Sequence, residues 1–381
     1  MAYKAFDEIY KTVPIRHLLL EKHGDDLISP PFATELCKEY NQIAFWDGNY
    51  VEYRALDLPP ATSKFNAITN VRKSTWMVPY GIWDEMNTAV QVTNRKIEYH
   101  SIDAQGGKGQ FYSIASNGKQ ACAFPLGYEN THYLIWIDKN GLRTDTFQTD
   151  NVKCHMGTVW CNGKFWSMPR GDNPNYQDLV SYDGSLIKRH KILCKENTRK
   201  YSDIVVVDNT LYSLPFGEGY GHKTVTEFDT TSNTIKYHEL DIPDFAKKYN
   251  AQVLVDECII GLPYGDERSQ DSNWGVVFNT VTKESFPVNI GFIFGGKYRF
   301  RSGLAYKGRA VFLPSGSPNC PIISVDKHGG IQIGWQKDKI FGRPLLYKDK
   351  IYCIVYDIRK QQSFICSIDE KLNITQHQTL V

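Results

Sequence analysis

Histidine, tyrosine, arginine and the carboxylates are the side chains that could do chemistry in this sequence, and they gather in a few places. His17 and His155 stand fourteen residues ahead of Pro31 and Pro169, at a position that reads as the start of a strand, and Arg301 directly follows its counterpart Phe300. An imidazole there could pass a proton, or hold an anion or a metal. Tyr220 and His222 lie in a polar run beside Glu218, His132 in another beside Glu129, and Asp266, Glu267 and Asp271 in a third. Histidine with tyrosine could remove the proton beside a uronate carboxylate, and paired carboxylates could cleave a glycosidic bond. The plainer reading is that the imidazoles fill a packing slot and that the polar runs are solvated loops. No His, Cys or carboxylate spacing recurs in the form zinc or calcium needs, so no metal is expected. No cofactor is expected either: the run GGKG at Gly106–Gly109 lacks the strand-to-helix context of a phosphate loop.

Binding rather than catalysis is suggested by two further sets. The stretches joining one repeat to the next hold Lys64, Lys108, Lys153, Lys195, Arg199, Lys200, Lys247, Lys248, Lys297, Arg299, Lys337 and Lys339 against Asp150, Glu196, Asp241, Asp244 and Asp338. Such a basic rim would attract an acidic protein surface or an anionic glycan, with Arg199, Lys200, Lys297 and Arg299 as its candidate binding residues. Tyrosines recur after the second strands at Tyr80, Tyr128, Tyr176, Tyr220, Tyr264 and Tyr356, and would supply the amphipathic area that interfaces favour.

These residues are placed by a repeat. A hydrophobic strand ending in Pro-X-Gly is clearest at Lys164–Gly171 (KFWSMPRG), and its anchors are Pro31, Pro79, Pro125, Pro169, Pro215, Pro263 and Pro314, with Val355 in the eighth copy. Successive anchors lie 48, 46, 44, 46, 48, 51 and 41 residues apart, and a period in the forties marks a modular array. Fourteen residues before each anchor stands a ring: His17, Phe65, Phe111, His155, Tyr201, Tyr249, Phe300 and Phe341. After each anchor comes a run that closes on Asp or Asn and then turns, as in LIWIDKNG (Leu134–Gly141) and LVSYDGS (Leu179–Ser185). Each repeat therefore reads as four short strands, in which Pro ends the second strand where no ladder donor is needed and Gly permits the turn outward.

The spacing predicts an all-β fold, an eight-bladed β-propeller of four-stranded antiparallel blades, with seven blades plus an N-terminal appendage as the alternative. Blades are expected at about 14–58, 64–105, 110–149, 154–195, 200–242, 248–291, 299–336 and 340–381, with whole first and last blades packed together at closure. Residues 1–13 repeat nothing; Phe6, Ile9, Tyr10 and Val13 recur at helical spacing before Pro14, which predicts a short amphipathic arm that docks on another chain or on the plain face of the disc. Tight turns alternate with long loops, so one face of the disc is variable and the other plain. The recurring rings are expected to pack at blade junctions.

Composition excludes several classes. The chain carries 44 basic and 42 acidic side chains, a formal charge of +2, which does not fit a nucleic-acid binder that buries a phosphate backbone. No run approaches transmembrane length, so membrane insertion is not expected. The first residues include acids and lack the apolar core and cleavage site of a signal peptide. Nine cysteines, an odd number with no Cys-X-X-Cys pair, read as buried thiols of a protein folded in a reducing compartment.

The periodicity resembles the kelch and quinoprotein-like propeller superfamilies over most of the chain, in architecture only. The Gly-Gly doublets at 106–107, 295–296 and 329–330 lack the spaced Tyr and Trp of kelch blades, and Trp46-Asp47 and Trp83-Asp84 fall outside the strand ends that the WD-repeat family uses. No functional residues carry over. The leading reading is a non-enzymatic scaffold or recognition module that binds a protein or glycan. It would be intracellular or part of a particle assembled in the cytosol, such as a virion. The rival reading is a polysaccharide lyase or hydrolase acting on an acidic glycan at the central depression, with His155, Arg301, Tyr220 and His222 as its candidate groups.

Overall fold

The structure is a computed structural model, and it describes residues 11–81, 86–102, 110–126, 132–147, 155–171, 176–193, 199–217, 220–265, 273–291 and 299–380. Eight antiparallel sheets follow one another along the chain, each built from consecutive strands. Blade 1 comprises Glu21–His23, Asp26–Ser29, Gln42–Trp46 and Val51–Ala55, and blade 4 comprises Val159–Cys161, Lys164–Ser167, Asp178–Tyr182 and Ile187–Lys191. The chain is an eight-bladed β-propeller, with Leu27–Ala33 inside the ring rather than appended to it. Between its second and third strands blade 1 carries a single 3₁₀ turn, Glu35–Cys37. Blade 8 has a split inner strand, Lys339–Phe341 and Leu345–Tyr347, both paired with Lys350–Asp357.

The fourteen-residue spacing is a cross-strand pair. Phe65 lies opposite Pro79, Tyr249 opposite Pro263, Phe300 opposite Pro314, Phe341 opposite Val355, and His155 bridges to Pro169. All eight rings are at most 2 % exposed. Phe65 packs with Ile28 and Phe45 of blade 1, Phe111 with Trp76 and Val78 of blade 2, and Phe300 with Ile260 and Leu262 of blade 6. Every ring except His17, whose described contacts lie within blade 1, thus packs at the junction with the preceding blade, where a flat, bulky side chain fits.

The Pro-X-Gly ending has a second role, because the residues flanking ring and anchor form a belt of backbone hydrogen bonds. Lys64 N donates to Phe32 O (2.9 Å), Tyr80 N to Lys64 O (2.8 Å), Gln110 N to Tyr80 O (2.9 Å) and Leu126 N to Gln110 O (2.8 Å). The same alternation runs through Arg170, Lys200, Phe216, Lys248, Tyr264, Arg299 and Ser315. To make it, the glycine of the motif takes a left-handed conformation, with φ of 54° at Gly81, 53° at Gly171, 57° at Gly217 and 79° at Gly265. Among the described residues a backbone hydrogen bond crosses every junction except that between blades 8 and 1. There, closure rests on side chains: Leu20, Leu27 and Trp46 against Tyr352, Ile354 and Leu380, and Val13, Ile15, Leu18 and Phe32 against Ile340 and Tyr356. Val13, the end of the expected arm, therefore packs at the anchor side of this junction and not on the plain face; residues 1–10 lie outside the described residues.

The runs closing on Asp or Asn are Asx turns. Asp138 Oδ1 accepts from Asn140 N (2.7 Å), Asp183 Oδ1 from Ser185 N and Leu186 N (3.0 and 2.9 Å), and Asp229, Asn279, Asp326 and Asp369 repeat the device.

Candidate functional site

Across the eight blades, the residues that follow the ring are where the copies stop resembling one another. The first such residue is Leu18, Asn66, Tyr112, Met156, Ser202, Asn250, Arg301 or Gly342. In six adjoining blades these residues and their successors line one cavity of about 260 Å³ on the propeller axis, between Tyr112 of blade 3 and Arg343 of blade 8. Repetition builds the wall, and divergence fills it.

Arg301, Arg343 and Tyr112 line this cavity, and Tyr264, Tyr80 and Arg170 pack behind them. Arg301 donates from Nε and Nη2 to the Tyr264 hydroxyl (3.0 and 2.8 Å), and its guanidinium stands 5.6 Å over the Tyr264 ring. Arg343 stands 5.2 Å over the Tyr112 ring and donates to the Tyr112 carbonyl (3.2 Å). Tyr80 meets Tyr112 edge-on at 5.8 Å, and Arg170, which contacts Met156 Sδ, lies over Phe216. Burial alone would raise the Tyr112 hydroxyl, but the charges of Arg301, Arg343 and Arg170 and a hydrogen bond from Arg343 outweigh it and hold the phenol below its ordinary value. Deeper in the wall, Asp203 is pushed up to about 6 because the channel shields it from bulk water, against the pull of Ile204 N, Arg343 and Gln252 N.

Local sequence explains the aim of Arg343. A Cβ on Gly342 would stand 1.9 Å from Leu18 O, so only glycine lets blade 8 press against blade 1 there. Pro344 follows and has no amide to offer the ladder. The Gly-Arg-Pro bend splits the inner strand and leaves Arg343 at the cavity.

Of the residues expected from sequence, Arg301, Tyr264 and Tyr80 belong to this cluster. His155 does not: it is 1 % exposed, bonded through Nδ1 to Met168 O (3.1 Å) and through Nε2 to the Tyr176 hydroxyl (2.7 Å), and surrounded by Phe124 and Phe147. Burial drives its pKa down to about 3. His17 is held the same way by Ser29 and Tyr40, also at about 3. His222 is buried edge-on against Tyr201 with its pKa lowered to about 4 by burial, whereas Tyr220 beside it in sequence is exposed, so the two do not face one reacting atom.

Among the described residues, five members of the basic rim, Lys64, Lys200, Lys247, Lys248 and Arg299, are buried in the protein, while Lys337 is exposed. Lys64, Lys200, Lys248 and Arg299 precede rings and are at most 3 % exposed. Lys64 Nζ donates to Ala61 O (2.9 Å) and Lys38 O, while Lys248 Nζ donates to Phe245 O and pairs with Asp244 (2.9 Å). These ammonium groups tie down the loops that approach the belt. Arg199 is half-buried with φ of 52°, its amide on Gly171 O. Lys297 lies outside the described residues. Tyr356 is 1 % exposed in the closing junction, and Tyr80 and Tyr264 are also buried, so these tyrosines act as wedges rather than as open contact area.

No protein-family model matches the chain, and no curated protein does. Solved structures do. Virginiamycin B lyase from Staphylococcus aureus aligns at 13 % identity and a TM-score of 0.57, over 78 % of this chain and 94 % of its own. BamB from Moraxella catarrhalis aligns at 12 % identity and 0.56, over 88 % and 92 %, and the computationally designed Ika8 protein at 11 % and 0.53, over 89 % and 94 %. The likeness is one of fold. At such identities it assigns no residue a role, so the cavity has to be read from its own chemistry.

Proposed function

We propose that the disc is a non-enzymatic recognition module that docks on a protein partner, or on a larger assembly such as a virion, through the anchor face and the mouth of the axial cavity. The observation that supports this reading is the contrast between a wall of repeated contacts and the unrepeated residues inside it, Tyr112, Met156, Asn250, Arg301 and Arg343 among them. Symmetric positions are accounted for by packing; a ring that needed only to close could have used the same residue eight times.

The test is site-specific crosslinking in cells that produce the protein natively. A benzoylphenylalanine replacing Asn250, on the cavity, is expected to yield one discrete adduct, and the same group replacing Lys119, in an exposed plain-face turn, none. Adducts from position 119 alone would overturn the reading.

One observation favours a second reading. A phenol held below its ordinary value among three guanidinium groups, as Tyr112 is, could take the proton beside a carboxylate in the eliminative cleavage of an acidic glycan. Incubation with uronate polymers decides it: accumulation of an unsaturated product by the wild type and its loss in Tyr112→Phe would make the protein an enzyme.

A further inference from the structure

Two guanidinium groups and one phenol line this small space, with Arg170 behind them over Phe216, and they suggest what the cavity would hold. We infer that the mouth of the axial cavity is a carboxylate site, in which Arg343 and Arg301, backed by Arg170, grip one carboxylate against the Tyr112 hydroxyl. This deepens the docking reading and rests on it for where the ligand comes from.

Four observations carry the inference. First, Arg343 offers five N–H donors. The bonds described for it go to Tyr112, and no ion pair holds it among the described residues. Second, Arg301 and Arg343 lie over the Tyr264 and Tyr112 rings, at 5.6 and 5.2 Å. These contacts hold both groups at the cavity; Arg301 places its Nε and Nη2 on the Tyr264 hydroxyl, so the two-point contact to a flat two-oxygen acceptor falls to Arg343. Third, the cavity measures about 260 Å³, just under the roughly 300 Å³ at which pockets begin to take drug-sized ligands, so it admits a group rather than a polymer. Fourth, Asp203 shares the wall. A carboxylate there penalises a second negative charge on the ligand, which favours a monoanion over a phosphate dianion.

The same chemistry has two sources, an acidic side chain presented by the partner or a free small acid, and one experiment separates them. The purified full-length protein is titrated by calorimetry with a capped peptide of alternating Glu and Gly, with the Gln counterpart of that peptide, and with succinate. The Glu peptide is expected to bind, the Gln peptide not, and Arg343→Gln to weaken binding at least tenfold while leaving thermal unfolding unchanged. Binding is expected to weaken with added salt. A second readout needs no variant. A bound carboxylate neutralises the guanidinium groups around Tyr112, so its phenolate band is expected to move to higher pH in the wild type on saturation, and Tyr112→Phe identifies that band.

Binding of succinate alone, lost in Arg343→Gln, would keep the carboxylate site but assign it to a free acid and remove the docking reading's support. Equal binding of the Glu and Gln peptides, or no binding of either carboxylate probe with an unmoved phenolate band, would overturn the site. The crosslink from position 250 then still judges the docking reading by itself.

Discussion

Two imidazoles occupy slots that six other blades fill with a benzene or phenol ring, and each is fastened by a tyrosine hydroxyl, Tyr40 for His17 and Tyr176 for His155. Both are neutral in the folded state, with pKa values near 3 against 6.5 when unfolded, and His222 behaves alike at about 4. Their linkage has a definite sign. Below 6.5 the unfolded chain takes up protons that the folded one refuses, so stability is full above neutrality and is lost as pH falls toward 3. At about pH 5 His17 and His155 should each cost roughly 2 kcal/mol. Restoring the ring with His155→Phe is expected to shrink the fall in Tm between neutral and mildly acid pH by several degrees; an undiminished fall would mean that this imidazole protonates freely in the native protein. Sequence made the slot legible, because a ring recurs at one spacing. Which ring does chemistry was not legible, since His155 and Arg301 are neighbours in register yet one is sealed under Phe124 and Phe147 and the other faces the axis. Tyr112 and Arg343 were missed for the same reason. The signal that would have found them is the one position after the ring, compared across copies.

At the scale of the element, the Pro-X-Gly ending was read correctly as a stop and an outward turn, but its larger work is to hand backbone hydrogen bonds from blade to blade. Position 217 tests this, since Gly217 N donates to Arg199 O (3.0 Å) and Gly217 O accepts from Lys247 N (2.7 Å) at a φ of 57°. Blade 1 carries Ala33 in the same conformation. Gly217→Ala is therefore expected to cost about 1 kcal/mol and Gly217→Val about 2 kcal/mol or more, measured as the shift in urea midpoint at constant slope. A valine variant as stable as the wild type would show that the belt does not depend on this conformation. The lysines beside the belt illustrate what sequence concealed. Lys64 and Lys248 count as surface charge by composition, yet their ammonium groups reach back three residues to bind the carbonyls of Ala61 and Phe245. Only the three-dimensional path of the loop makes that curl visible.

At the scale of the molecule, eight self-contained blades close without exchanging a strand, and seven junctions share a backbone bond that the eighth lacks among the described residues. Hydrogen exchange should report the difference. Inner-strand amides flanking the junction of blades 8 and 1 are expected to exchange faster than the belt amides of Lys64, Gln110, Lys200, Lys248 and Arg299. Equal protection at all junctions would count against it. The protein then behaves as a split washer, a ring with one cut held shut by side-chain pressure. The cut runs beside Gly342, the residue before Arg343, so whatever Arg343 grips is gripped at the lips of the cut. A ligand seated there and reaching Arg301 would join blade 8 to blade 7, on one side of the cut, so binding is expected to slow exchange at that junction and to leave the cut between blades 8 and 1 as it was.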